Sequence, residues 1–159
     1  EHIFDYIKIK GFQQKYLKSD LLICDTDYVP GCCFMIKREL VNKIGLFDED
    51  FFMYWEEVDL SLRILKEGYG LICSTKAAIN RKENSSNSYI NSIKFSTRNS
   101  FLLKRKHGLP TLSHILYLFT ILMLSFKKSF KINNSKPIKS FFLGLHDGYS
   151  QVNFKGVKQ

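Results

Sequence analysis

Acidic residues are nearly missing from one half of this sequence. Residues 80–159 hold two Asp/Glu against fourteen Lys/Arg, net +12, while residues 1–79 hold thirteen against ten, net −3, giving +9 over 159 residues. A basic half of that kind seeks anionic partners, and the acidic half is where carboxylate chemistry would sit. Proline (three) and glycine (nine) are too scarce for a collagen-like or linker protein. An apolar share of 45% is too high for a disordered chain, and the length suits one domain with a real core.

Other absences narrow the chemistry. The four cysteines, Cys24, Cys32, Cys33 and Cys73, include no C-x-x-C pair, and no His stands at zinc-finger spacing. Cys32 and Cys33 point to opposite faces of any strand that holds them, so the expectation is reduced thiols packed in strands of a cytosolic protein. No glycine-rich phosphate loop and no internal repeat is present. Basic residues are not interleaved with aromatics in the pattern of a nucleic-acid-binding sheet, so nucleic acid is not an expected partner. The sequence opens on Glu1-His2-Ile3-Phe4-Asp5, which is not a secretory signal, so Asn84-Ser85-Ser86 and Asn133-Asn134-Ser135 read as chance glycosylation matches. The longest apolar run, Leu112 to Phe126, is about 22 Å as a helix at ~1.5 Å per residue, short of the roughly 30 Å of a bilayer core.

What is present suggests alternating short elements followed by helices. Leu21 to Cys24, Cys32 to Ile36, Tyr69 to Ser74 and Lys76 to Ile79 read as strands. Lys37 to Gly45 reads as a short helix stopped by glycine, and a second opens at Glu56 and closes at Gly68 with Leu60, Ile64 and Leu65 inward. Arg81 to Ser92 reads as a mobile Asn/Ser-rich loop, and residues 93–106, 112–126 and 137–156 as helices. Leu112 to Phe126, between Lys104-Arg105-Lys106 and Lys127-Lys128, reads either as a helix on an anionic membrane surface or as a core helix.

The densest chemical cluster is Asp48-Glu49-Asp50 with Glu56, Glu57 and Asp59. Six carboxylates within twelve residues repel unless a cation or a helix N-terminus compensates. An ionised carboxylate there, framed by Phe52, Tyr54 and Trp55, suits either a general base for a hydroxyl held on the rings or a solvated first turn. The Pro30-Gly31-Cys32 turn either lets backbone approach a sugar closely or is an ordinary turn.

Four segments carry a resemblance: Val29-Pro30-Gly31-Cys32-Cys33-Phe34-Met35-Ile36-Lys37-Arg38-Glu39; Ile44-Gly45-Leu46-Phe47-Asp48-Glu49-Asp50-Phe51-Phe52-Met53-Tyr54; Glu56-Glu57-Val58-Asp59-Leu60-Ser61-Leu62-Arg63; and Gly68-Tyr69. Together they resemble the acceptor-side half of a family-2 glycosyltransferase, in its rhamnosyltransferase-like branch, and weaker likeness runs from Ser96-Thr97-Arg98-Asn99 to Gly144-Leu145-His146-Asp147-Gly148. The resemblance implies an α/β chain forming the C-terminal portion of a GT-A nucleotide-sugar transferase fold, a mixed sheet with a helical basic C-terminal part. Residues 1–92 would be the acceptor-side half and residues 93–159 a basic helical extension. It further implies inverting transfer of one sugar from a nucleotide-sugar donor to a glycan acceptor, lipid-linked and used in surface polysaccharides, at the cytoplasmic face of the membrane. The alternative is a non-catalytic remnant or partner subunit that binds an acceptor or a membrane surface.

Carried over by position, Glu57 is the base that takes the acceptor hydroxyl's proton. It is Glu where the family has Asp, and an oxygen displaced by about 1 Å can cost around 10²-fold in rate. Glu56 and Asp59 support it, with Trp55, Tyr54 and Gly31 on the acceptor side; Asp59 is equally readable as a helix cap. Asn80 stands where many relatives have His, so no metal is expected there. Arg81, Lys82 and Arg98 are candidates for diphosphate charge, the first two equally readable as a solvated loop. Thr97-Arg98-Asn99 replaces the Gln-x-x-Arg-Trp of polymerising relatives, which favours a single addition. The family's Mg²⁺ or Mn²⁺ sits on an upstream Asp-x-Asp; Asp25-Thr26-Asp27 spells that pattern but lies beyond its usual place. The expectation is therefore a fragment without the nucleotide-binding half, inactive by itself.

Overall fold

The computed structural model describes residues 23–31, 33–74 and 86–155. These fall into two compact units. The first holds the described residues of 23–50 and 56–74, and the second holds Phe51–Trp55 and residues 86–155.

The first unit contains β1 (Ile23–Asp25), α1 (Arg38–Ile44), α2 (Glu56–Lys66) and β2 (Ile72–Ser74). Glycine decides both helix ends. Gly45 follows α1 at φ 73° and Gly68 follows α2 at φ 80°, left-handed values that suit a residue without Cβ. The α2 spacing puts Leu60 and Ile64 one turn apart on the inner face, where with Leu40 of α1 and Leu71 they make the buried core. Val29, Phe34, Ile36, Ile44 and Leu65 close around it.

The mixed sheet implied by the GT-A resemblance is not what the described residues form. Strand is confined to β1 and β2, three residues each, paired antiparallel with Cys24 opposite Cys73. The rest of the regular structure is helical apart from a 3₁₀ turn at Glu49–Phe51. The reason lies in what a short apolar run specifies. Phe34 and Ile36 meet the Leu40–Leu60–Ile64 core from irregular chain, so their apolar character is satisfied by packing without a hydrogen-bonded neighbour strand. The thiols differ from expectation too, since Cys73 is exposed on β2 and Cys33 is exposed outside any strand. The strand expected at Lys76 to Ile79 lies outside the described residues.

The second unit is three long helices: α3 (Ser86–His107), α4 (Thr111–Ile132) and α5 (Lys136–Lys155). Helix α3 begins within the stretch expected to be a loop. Its Asn/Ser-rich start has little apolar period to announce it, but Ile93, Thr97, Asn99 and Ser100 are all buried. Glycine sets the α3–α5 approach. A Cβ at Gly144 would lie 2.3 Å from the Lys94 carbonyl oxygen, and one at Gly148 would lie 2.6 Å from the Phe101 ring. Two glycines four apart on one face of α5 therefore let it seat against α3 backbone.

Candidate functional site

The first unit carries the acidic helix start. Glu56, Glu57 and Asp59 occupy the first turn of α2, where the helix dipole favours negative charge. The carboxylates there have different surroundings. Asp59 is fully buried, and its Oδ2 accepts from Arg63 Nε one turn on, at 2.9 Å. The same guanidinium donates to the carbonyls of Ile44 at 2.6 Å, Gly45 at 3.3 Å and Leu46. Asp59 thus aims Arg63 at the orphan carbonyls at the end of α1.

Glu57 has no such cation among the described residues. One carboxylate oxygen of Glu57, and one of Glu56, is buried without a hydrogen-bond partner. Burial pushes the Glu57 carboxyl above the usual carboxylate range and the neighbouring Glu56 adds to the rise, against a smaller opposing pull from Glu57's own backbone N–H. At this helix start desolvation outweighs that backbone hydrogen bond.

Ser61 fixes what lies over Glu57. Its hydroxyl donates to the Glu57 carbonyl at 2.7 Å and accepts from the Val29 N–H at 3.2 Å. That link holds the Val29-Pro30-Gly31 turn against the start of α2. A Cβ at Gly31 would sit 3.7 Å from the Glu57 Cβ, ordinary contact, so the glycine leaves about one methyl of open space beside the carboxylate stem. The structure brings together Gly31, Glu56, Glu57 and Asp59. Ser61 and Arg63 complete the arrangement. The i, i+4 spacing of Asp59 and Arg63 was a legible signal for that pair; the tie from Ser61 to Val29 spans 32 residues and leaves no local signal.

Tyr54, Trp55 and Arg98 belong to the second unit. Trp55 is core: its indole N–H donates to the Ser96 carbonyl at 3.0 Å, and its ring meets Tyr117 edge-on at 5.3 Å. Phe52, Tyr54 and Trp55 stand at φ 57°, 68° and 76°, left-handed values that aromatic residues rarely adopt. A buried asparagine holds them there. Asn99 Nδ2 donates to the carbonyls of Phe51, Met53 and Tyr54 at 2.8, 2.7 and 2.7 Å, two N–H groups shared among three acceptors. Arg98 donates to Asn99 Oδ1 at 2.7 Å and to the Phe51 carbonyl at 2.8 Å. The adjacent pair Arg98-Asn99 is a clamp on residues 51–55. Arg81, Lys82 and Asn80 lie outside the described residues.

Among the described residues, no group of three or more His, Cys, Asp or Glu is placed to hold a metal ion.

Comparison with known proteins bears on the chemistry. The chain is 40% identical over 42 residues to the N-acetylglucosaminyl-diphospho-decaprenol L-rhamnosyltransferase of Mycobacterium tuberculosis. It is 36% identical over 45 residues to the low-salt glycan biosynthesis hexosyltransferase Agl10 of Haloferax volcanii. Both relatives are sugar transferases. The matched segments cover 26% and 28% of this chain but only 14% and 15% of those proteins. No family model and no solved structure matches the chain. At this coarse level the similarity supports a role in glycosyl transfer.

Proposed function

We propose that this chain supplies the acceptor-side part of an inverting glycosyltransferase, with Glu57 as the general base. The carrying observation is the Glu57 carboxyl: one oxygen buried without a partner, its proton affinity raised by burial, and no cation paired with it among the described residues. A carboxylate made more basic by its surroundings is suited to accept a proton from a hydroxyl. In the proposed step Glu57 takes the proton of the acceptor hydroxyl while that oxygen bonds to the anomeric carbon. The anomeric C–O bond to the diphosphate breaks from the opposite face, and the nucleoside diphosphate leaves with the electron pair. Gly31 leaves room for the acceptor beside Glu57, and Glu56 keeps the base from losing its proton affinity. Arg63, held by Asp59, positions α2 rather than touching substrate.

Arg98 is engaged with residues 51–55, so Arg81 and Lys82 are the better candidates for the donor's diphosphate. A lipid-diphosphate-linked acceptor is proposed from the name of the mycobacterial relative and from the +12 charge of residues 80–159. The test is sugar transfer from a labelled nucleotide sugar to a polyprenyl-diphosphate-linked glycan, catalysed by the product of the complete reading frame that contains this chain. Glu57→Gln is expected to lower kcat by about 10²–10⁴, the usual contribution of a general base, and Glu57→Asp to retain part of it. Turnover undiminished in Glu57→Gln removes the assignment of Glu57 as the general base.

A further inference from the structure

Helix α4 buries polar side chains and exposes large apolar ones. The residues it buries are His114, Tyr117, Ser125 and Ser129. The residues it exposes include Leu112 (69% exposed), Ile115, Phe119 (60%), Met123, Phe126 and Phe130 (84%). At 3.6 residues per turn these six fall within roughly 80° of arc, a continuous apolar stripe along a helix of about 33 Å. A surface helix in water has the opposite arrangement, so the stripe is built to face something other than water.

Charge identifies the occupant. Lys127 and Lys131 lie along one border of the stripe, and Lys104-Arg105-Lys106 ends α3 just ahead of α4. Asp147 is the only acidic residue between positions 86 and 155, against eleven Lys/Arg. Self-association through this face would bring two strongly basic surfaces together. An anionic lipid leaflet supplies both an apolar interior for the stripe and negative headgroups for the lysines, whose long stems let the ammonium groups reach headgroup level. No described helix is long and apolar enough to cross a membrane, so α4 would lie in the interface plane.

We infer that the exposed stripe of α4 is a docking surface for an anionic membrane, with Phe119, Phe126 and Phe130 inserted among the acyl chains and Lys127 and Lys131 on the headgroups. The inference rests on unit-two residues alone and stands independently of Glu57 and of sugar transfer.

The experiment is flotation of the purified chain with vesicles of phosphatidylcholine alone and of phosphatidylcholine mixed with phosphatidylglycerol. The wild type is expected to float with the mixed vesicles, weakly with the neutral ones, and less as salt rises. A Phe119→Ser, Phe126→Ser, Phe130→Ser variant is expected to lose binding at least tenfold to both. These side chains are exposed, so the variant should fold, which far-UV circular dichroism and Trp55 fluorescence verify. A Lys127→Gln, Lys131→Gln variant is expected to weaken binding to the anionic vesicles by about fivefold per lysine and to leave neutral binding unchanged. Flotation with neither vesicle overturns the inference. So does flotation that the serine variant leaves intact, or a dimer that the serine variant dissociates while vesicle binding is absent.

Discussion

Replacing Asn99 with Ala should unfasten residues 51–55 before it unfolds the helices around them. The perturbation removes one side chain that is 0% exposed and carries three donated hydrogen bonds and one accepted. At about 1 kcal/mol net for each of the three carbonyl partners, the loss is on the order of 3 kcal/mol. Two corrections pull in opposite directions. The Phe51 carbonyl keeps its bond from Arg98, which reduces the loss. A carbonyl that stays buried without a partner raises it, at roughly 1–3 kcal/mol for each such group. Backbone strain adds a signature. Left-handed φ is disfavoured for aromatic residues, so once the clamp is gone Phe52, Tyr54 and Trp55 relax toward negative φ. Relaxation draws Trp55 away from Tyr117 and from the Ser96 carbonyl.

Trp55 is the only tryptophan in the sequence, so urea unfolding followed by its fluorescence reports this segment directly. The expectation for Asn99→Ala is a loss of about 3 kcal/mol, with a red-shifted native emission while helical circular dichroism persists. Asn99→Asp keeps the shape and loses the donors, pointing a carboxylate at carbonyl oxygens, and should be no more stable than the alanine variant. A loss under about 1 kcal/mol with unshifted emission, below that of one ordinary hydrogen bond, would refute the clamp.

Three further outcomes follow from the same structure. Glu57 has a folded-state affinity raised above its ordinary value of 4.5, so its contribution to stability is full below that value and is lost as pH rises through the folded one. Glu57→Gln should therefore be more stable than the wild type at neutral pH, and an unchanged or lower midpoint in urea contradicts the burial argument. His114 is lowered from 6.5 to about 4 by burial, with Lys104 adding to the shift, and its Nε2 lies 3.0 Å from Ser100 Oγ, a hydroxyl that donates onward to the Thr97 carbonyl. The unfolded chain takes that proton first, so stability is full above 6.5 and falls toward pH 4 by up to about 3 kcal/mol; a His114→Gln variant with the same acid limb removes the assignment. Gly144→Ala places a methyl 2.3 Å from the Lys94 carbonyl oxygen, where backbone must move, and is expected to cost at least 1–3 kcal/mol in thermal unfolding, about the scale of overpacking.

Local signals carried the first unit's helices and the two short strands near Cys24 and Cys73, but overread the run ending at Ile36 as a third. Gly45 and Gly68 mark helix ends because a left-handed residue is a property of one position. A strand is a property of two segments, and the apolar run ending at Ile36 says only that its side chains are buried. Helix α3 begins earlier than its sequence announces because its first turns hold Asn and Ser, which set no apolar period. For α4 the apolar run from Leu112 to Phe126 was plain, but no rule of spacing reveals that the face holding His114 and Ser125 is the one turned inward. That outcome depends on what α3 and α5 offer it, including Ser100 for His114. At the site, the position of Glu57 at a helix start was legible and its burial was not. Burial comes from the turn that Val29 and Ser61 hold over it, and Ser61 lies 32 residues from its partner in that bond.

The contrast within one helical turn carries the functional argument furthest. Glu57 and Asp59 are two residues apart on α2, both in its first turn and both subject to the same dipole. Asp59 receives the guanidinium of Arg63 and is committed to a structural link with the end of α1. Glu57 receives no cation among the described residues, sits against Glu56, and has a buried oxygen with nothing to accept from. Exchanging the surroundings would be the more stable arrangement for Glu57, since an opposite charge within a few ångströms lowers a carboxyl's proton affinity and offsets its desolvation. The same exchange would make it a weaker base. A single first turn thus holds one carboxylate stabilised by pairing and another without a paired cation among the described residues, and Gly31 leaves the space beside the second open. Stability alone accounts for the first carboxylate and not for the second, and that is why the proposed chemistry rests on Glu57.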